Sequence, residues 1–196
     1  MHWYYDGHNP GERILKRRDF LRSGVAAALL GNGQAFGQVA LPEGAVRAKL
    51  EAIEQAGAVL HRCAPTTAAR EAMTAELQRQ TGAELVHPYA DARVMAGQGT
   101  LVLELMRQVE GLDALITPVG GGGLAAGCAI AAHGLKPELA MYGAEPTGAD
   151  DAARSLAQGA RVEPFQANTL CDGLRTLIGA PNFDALRTHR TQVITV

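Results

Sequence analysis

A chain of 196 residues, 47% of them hydrophobic, can bury one substantial core or two small lobes sharing a hinge, and its composition is of the soluble α/β type. The net charge of −2, with fifteen arginines and three lysines dispersed along the chain, argues against a nucleic-acid surface. Cys63, Cys128 and Cys171 are too far apart for a zinc site and odd in number, so buried free thiols are expected, and no apolar stretch reaches the roughly 18 residues of a membrane span.

Residues 1–13 are polar and aromatic, with Gly7, Pro10 and Gly11 as breakers, and promise little stable structure. The run Lys16-Arg17-Arg18-Asp19-Phe20-Leu21-Arg22, an apolar segment to Leu30 and a small-residue site at Ala35-Phe36-Gly37 read as a twin-arginine export signal. The alternative is an amphipathic helix with Ile14, Arg18, Leu21, Val25 and Leu29 in one stripe. From Glu43 to Ala56 the spacing predicts a helix with Val46, Leu50 and Ile53 on one face, stopped by Gly57. A strand over Ala58–Cys63 follows, then a helix opened by Pro65-Thr66 and closed at Gly82, then a short strand Glu84–Val86.

After a turn at His87–Asp91 a long helix is expected from Ala92 to Val109. Its segment Ala96-Gly97-Gln98-Gly99-Thr100 contains two glycines, which weaken a helix by about 2 kcal/mol relative to alanines and so imply close backbone approach. Gln98 and Thr100 read as satisfied core polar groups rather than ligand contacts.

Leu115–Val119 is an apolar, β-branched run that stops at four consecutive glycines, Gly120 to Gly123, and resumes as a small-residue helix from Leu124 to Ala132. Glycines there admit positive φ and let an anion reach the amide N–H groups, while the helix aims its positive end at the same point. A phosphate is the expected guest, with a tight packing turn as the plain alternative. Gly120, Gly122 and Ala125 also satisfy G-x-G-x-x-A, with Glu145 at the distance of a ribose contact, which leaves a dinucleotide-binding Rossmann enzyme as a rival.

A strand over Glu138–Ala144 then leads into Glu145-Pro146-Thr147-Gly148-Ala149-Asp150-Asp151, three carboxylates in a turn. Such a loop suits a hard cation, Mg²⁺ or Ca²⁺. It equally suits a helix cap by Asp150 or Asp151, which the residues alone favour. The chain ends with a loop through Asn168–Leu174, a short helix near Phe183–Arg187 and a β-like run Gln192–Val196.

The stretches GAVRAKLEAIEQAGAVL, HPYADARVMAGQGTLVLEL, DALITPVGGGGLAAG, YGAEPTGADDA and CDGLRT, in this order over residues 42–196, resemble the pyridoxal-phosphate enzymes of the tryptophan-synthase-β-like fold, and within them serine racemase and the serine/threonine dehydratases. The resemblance implies an α/β fold of type II, an open twisted parallel sheet with flanking helices, here as a partial two-domain protein. It divides the chain into an N-terminal segment 1–41, a remnant of the small domain at 42–88 and part of the large domain at 89–196. It implies pyridoxal 5′-phosphate as the cofactor, its phosphate held by Gly120, Gly121, Gly122, Gly123 and the Leu124 amide. It makes Glu145, the Ala149 carbonyl and Asp151 the ligands of a divalent cation, and sets Asp172-Gly173 and Gln98 near the site. The implied substrates are amino acids, with serine or threonine dehydration or serine racemisation as the activity and the cytoplasm as its place.

Two departures accompany the matches. The family's cofactor-bearing lysine stands in Ser-x-Lys-x-Arg-Gly, and none of Lys16, Lys49 and Lys136 has that context. Val25–Gln34 resembles the strand and Ser-Gly-Asn-His-Gly-Gln turn that stacks on the cofactor, with serine and histidine lost and Asn32 in the position that touches the phenolic oxygen. The expectation is therefore at most weak cofactor affinity and negligible lyase activity, or else a non-catalytic binding module, as a homodimer or paired with a full-length relative.

Overall fold

A computed structural model describes residues 27–30, 37–43, 47–55 and 57–196, which form two units divided after Val86. Residues 1–26 and Asn32 lie outside the described residues, and with them the twin-arginine run and the proposed contact to the phenolic oxygen.

The first unit is built on a four-stranded sheet. Its strands are β1 (Ala27–Leu30), β2 (Gln38–Pro42), β3 (Val59–Cys63) and β4 (Glu84–Val86), in the order β3-β2-β1-β4. β2 and β3 are parallel, joined through α1 (Arg47–Gln55), whereas β1 runs antiparallel to both β2 and β4. Ala27–Leu30, which falls in the Val25–Gln34 stretch resembling a family strand, is a strand here, and Gln38–Pro42 adds another that the sequence signals did not announce. Alternation along β2 sorts its side chains to two faces, as the period of 2 requires. Val39 and Leu41 pack with Leu50 and Ile53, while Ala40 packs with Leu77 and Ala83. Leu77 belongs to α2 (Thr67–Thr81), whose ends follow the sequence signals. The Thr66 side chain accepts from the Ala69 N–H at 3.1 Å, and Gly82, at φ 67°, donates to the Gln78 carbonyl at 2.9 Å.

The second unit has a three-stranded, wholly parallel sheet, ordered β5 (Ala114–Pro118), β6 (Ala140–Glu145), β7 (Gln192–Thr195). Four helices accompany it: α3 (Ala92–Gln108), α4 (Gly123–Leu135), α5 (Asp151–Gln158) and α6 (Ala180–Thr188). α4 is the hub, with Ala125, Ala126, Cys128, Ala129 and Ala132 all fully buried. Its alanines favour the helix and leave room for neighbours all round. One cluster joins Ala125 and Ala126 to Met95, Val119, Ala152, Ile178, Phe183 and Leu186; another joins Cys128, Ala129 and Ala132 to Val102, Leu139 and Met141.

The two glycines of α3 differ in purpose. A Cβ on Gly99 would lie 2.5 Å from the Gly127 carbonyl oxygen of α4, and one on Gly127 would lie 2.8 Å from the Gly99 nitrogen, so the helices touch backbone to backbone. A Cβ on Gly97 meets nothing, so close approach explains only Gly99. Thr100 is satisfied locally, donating to the Gly97 carbonyl at 2.7 Å. Among the described residues no helix is long and apolar enough to cross a membrane.

Candidate functional site

β5 and β6 are paired in parallel, Pro118 opposite Ala144, so the two strand-to-helix junctions that follow them open at the same end of the sheet. The first is the glycine loop. Gly120, Gly121, Gly122 and Gly123 are buried and Leu124 is half-buried. Gly122 closes the turn at φ 86°, a conformation that side chains resist, and its carbonyl receives the first helical bond, from Ala126 at 2.9 Å. Every glycine also has a protein neighbour where a side chain would go. A Cβ on Gly120 would stand 3.0 Å from the Gly173 carbonyl; on Gly121 it would enter the Tyr89 ring; on Gly122 it would stand 3.0 Å from Asn182 Cβ; and on Gly123 it would stand 3.0 Å from Tyr89 Cβ. Packing therefore accounts for the missing side chains.

Packing does not account for the amides. Among the described residues no hydrogen bond takes up the N–H groups of Gly120, Gly121, Gly122, Gly123 or Leu124. Buried backbone donors in folded proteins are nearly always paired. Here they cluster at the positive end of a 13-residue helix, which is an arrangement that takes an anion.

The second junction is the acidic turn, and it is built the opposite way. Glu145 is fully buried at the end of β6, and its carboxylate accepts from the N–H groups of Ala152 at 3.2 Å and Ala153 at 2.8 Å. Helix α5 is thus capped by Glu145, reaching over the 3₁₀ turn Thr147–Ala149, and not by the side chain of Asp150 or Asp151. Asp151 is 2% exposed and accepts from the Ile178 N–H at 2.8 Å, tying the 172–179 segment to α5. Burial, chiefly, and then the neighbouring Asp151 and Asp150 push the Glu145 carboxyl up to about 7, against the two helix amides that hold it down. Asp151 is raised as well, again mainly by burial. Ala149 is buried, and no hydrogen bond among the described residues is made to its carbonyl. No group of three His, Cys, Asp or Glu among the described residues is arranged to hold a metal.

Asp172 and Gly173 form a second 3₁₀ turn (Asp172–Leu174) whose Gly173 carbonyl faces Gly120, so this segment does adjoin the glycine loop. Gln98 is half-buried on α3, where its carbonyl lies 4.0 Å from the Cys128 thiol. Lys136 closes the far end of α4, donating to the Leu112 carbonyl at 2.8 Å and pairing with Asp113 at 3.2 Å. It lies thirteen residues along the helix from Gly123, about 20 Å.

Two residues of the site carried no sequence signal. Tyr89 sits in a turn that reads as a connector, yet its ring lies on Gly121 and its Cβ and backbone lie against Gly123. Asn182 follows Pro181 at a helix start, where a polar residue looks like a cap. It is instead fully buried, donating through Nδ2 to the carbonyls of Tyr89 and Gly121.

The family model for pyridoxal-phosphate dependent enzymes matches residues 23–196. The chain belongs to that family. It is 46% identical over 160 residues to serine racemase of Dictyostelium discoideum, covering 81% of this chain and 49% of the relative. It is 39% identical over 157 residues to beta-hydroxyaspartate dehydratase of Paracoccus denitrificans, covering 80% and 50%. The solved structure of maize serine racemase superposes with a TM-score of 0.79 at 36% identity, over 81% of this chain and 48% of that one. The chain thus spans about half the length of these relatives and shares their type II α/β fold.

Proposed function

We propose that the glycine loop is the phosphate cradle of pyridoxal 5′-phosphate, with Gly120, Gly121, Gly122, Gly123 and the Leu124 amide as donors. One observation carries this: a buried set of unpaired N–H groups at the head of α4 in a chain of this family. When bound, such a cofactor supplies an electron sink for chemistry at an amino-acid α-carbon. The chain's own part is to hold and orient the phosphate, with Tyr89 and the 172–174 turn walling the loop and excluding water from it. The substrate class we infer is amino acids with a hydroxyl on the β-carbon, which serine and β-hydroxyaspartate share.

Covalent capture is a separate matter. Lys136 is engaged at the opposite end of α4, and neither Lys16 nor Lys49 lies in the family's Ser-x-Lys-x-Arg-Gly context. We propose that this chain holds the cofactor without a covalent bond to a lysine, chiefly by its phosphate, and does not turn over serine or threonine by itself, working as a binding module with a second copy or a full-length relative. The test is a fluorescence titration of the 196-residue chain with pyridoxal 5′-phosphate and with pyridoxal. Tighter binding of the phosphorylated form, reversed by inorganic phosphate, is expected, and equal affinity for both overturns the cradle. Borohydride treatment that fixes the cofactor to a lysine overturns the non-covalent reading.

For the acidic turn we propose a divalent cation held by Glu145, the Ala149 carbonyl and Asp151. The support is the donor set itself: two carboxyls whose proton affinity burial raises, Asp151 adding to that of Glu145, and a buried carbonyl to which no hydrogen bond is made among the described residues. A hard cation would relieve all three. Mg²⁺ or Ca²⁺ is expected to raise the thermal midpoint at pH 8 more than at pH 5.5, where protons compete; no effect at either pH removes the site.

A further inference from the structure

We infer that Asn182 is a positioning residue for the cradle, an inference that rests on the phosphate reading of the glycine loop. The Gly121 carbonyl accepts two hydrogen bonds, one from the Gly179 N–H at 3.0 Å and one from Asn182 Nδ2. In a planar trans peptide the C=O of one residue and the N–H of the next point in opposite directions. Fixing the Gly121 carbonyl toward α6 therefore fixes the Gly122 N–H, one of the open donors, to point away from α6. The same Nδ2 group donates to the Tyr89 carbonyl at 3.0 Å. One side chain thus sets both the loop and the residue whose ring lies on it.

The rest of the amide argues that its donors are what matter. Asn182 is 0% exposed and its Oδ1 has no hydrogen-bond partner among the described residues. A buried unpaired acceptor is costly, and an apolar residue of that size would fill the space without it. Neither Nδ2 bond lies within a helix or strand; both cross to segments distant in the chain, at 61 and 93 residues' separation.

The test compares the wild-type chain with Asn182→Ala, Asn182→Asp and Asn182→Ser, using pyridoxal 5′-phosphate, pyridoxal and inorganic phosphate as probes and circular dichroism to follow folding. Loss of the donors is expected to weaken pyridoxal 5′-phosphate and phosphate about fivefold while pyridoxal affinity stays unchanged, with Asn182→Ser, which keeps one O–H donor, in between. A general loosening of the fold would lower all affinities together and would overturn the inference. If Asn182→Ala does not fold, Asn182→Ser carries the same comparison. A wild-type chain without preference for the phosphorylated probe overturns the cradle and this inference together. A preference that survives in every variant overturns only the role of Asn182.

Discussion

The glycine loop and the acidic turn are neighbouring answers to one problem, the unpaired amides at the start of a helix that follows a parallel strand. At the head of α5 the protein supplies its own anion, since Glu145 reaches across seven and eight residues to the Ala152 and Ala153 amides. At the head of α4 no side chain among the described residues plays that part, and none of them takes up the amides. That the fold caps a helix internally at one junction and leaves the adjacent one uncapped supports our proposal that the second takes an external anion. Glycine abundance alone would not distinguish them, because each glycine of the loop is also required by its packing.

The largest effect is expected where the open junction is supported. Gly99→Ala puts a methyl 2.5 Å from a helix carbonyl, and should cost about 3 kcal/mol in urea unfolding while weakening pyridoxal 5′-phosphate binding. An unchanged midpoint would mean that the α3–α4 contact does not hold the loop.

Next comes the closed junction. Glu145→Ala removes the internal anion and leaves two buried amides unpaired, for a loss of about 2 kcal/mol at pH 8. If the contrast between the junctions holds, millimolar inorganic phosphate should restore part of that loss in the variant by occupying the head of α5.

The same carboxyl gives the comparison a pH signature. Folded Glu145 keeps its proton up to about pH 7, while the unfolded chain releases it near 4.5. Its proton-linked stabilisation is therefore complete below about pH 4.5 and lost as pH rises through about 7, a change on the order of 3 kcal/mol. His189, which burial and the adjacent His133 hold below its usual value, acts in the opposite sense, losing stability as the pH falls. Subtracting the Glu145→Ala curve from that of the wild type isolates the first contribution, and a flat difference would reject it.

The smallest expected change is a gain. Gly97→Ala, whose added methyl meets nothing, should stabilise α3 by about 1 kcal/mol with no change in cofactor affinity, against the loss at Gly99 two residues away.

Much of this was legible in the chain because the signals were local. Thr66 and Gly82 bracket α2, and the β-branched run before four glycines announces β5, the turn and α4. The cap of α5 was misplaced because the sequence offers Asp150 and Asp151 beside the helix, while the residue that caps it sits at the end of the preceding strand. The antiparallel direction of β1 and the roles of Tyr89 and Asn182 depend on long-range contacts, which no local periodicity encodes.

The Gly99–Gly127 contact has a mechanical consequence. It works as a fulcrum set near one end of α4: Gly127 lies four residues from Gly123, about 6 Å, and eight from Leu135, about 12 Å. A rocking motion of the helix about that point moves its tail twice as far as its head. Disturbances that enter through His133 or Lys136 arrive at the glycine loop reduced to about two thirds or less, so the loop is on the short arm of the lever.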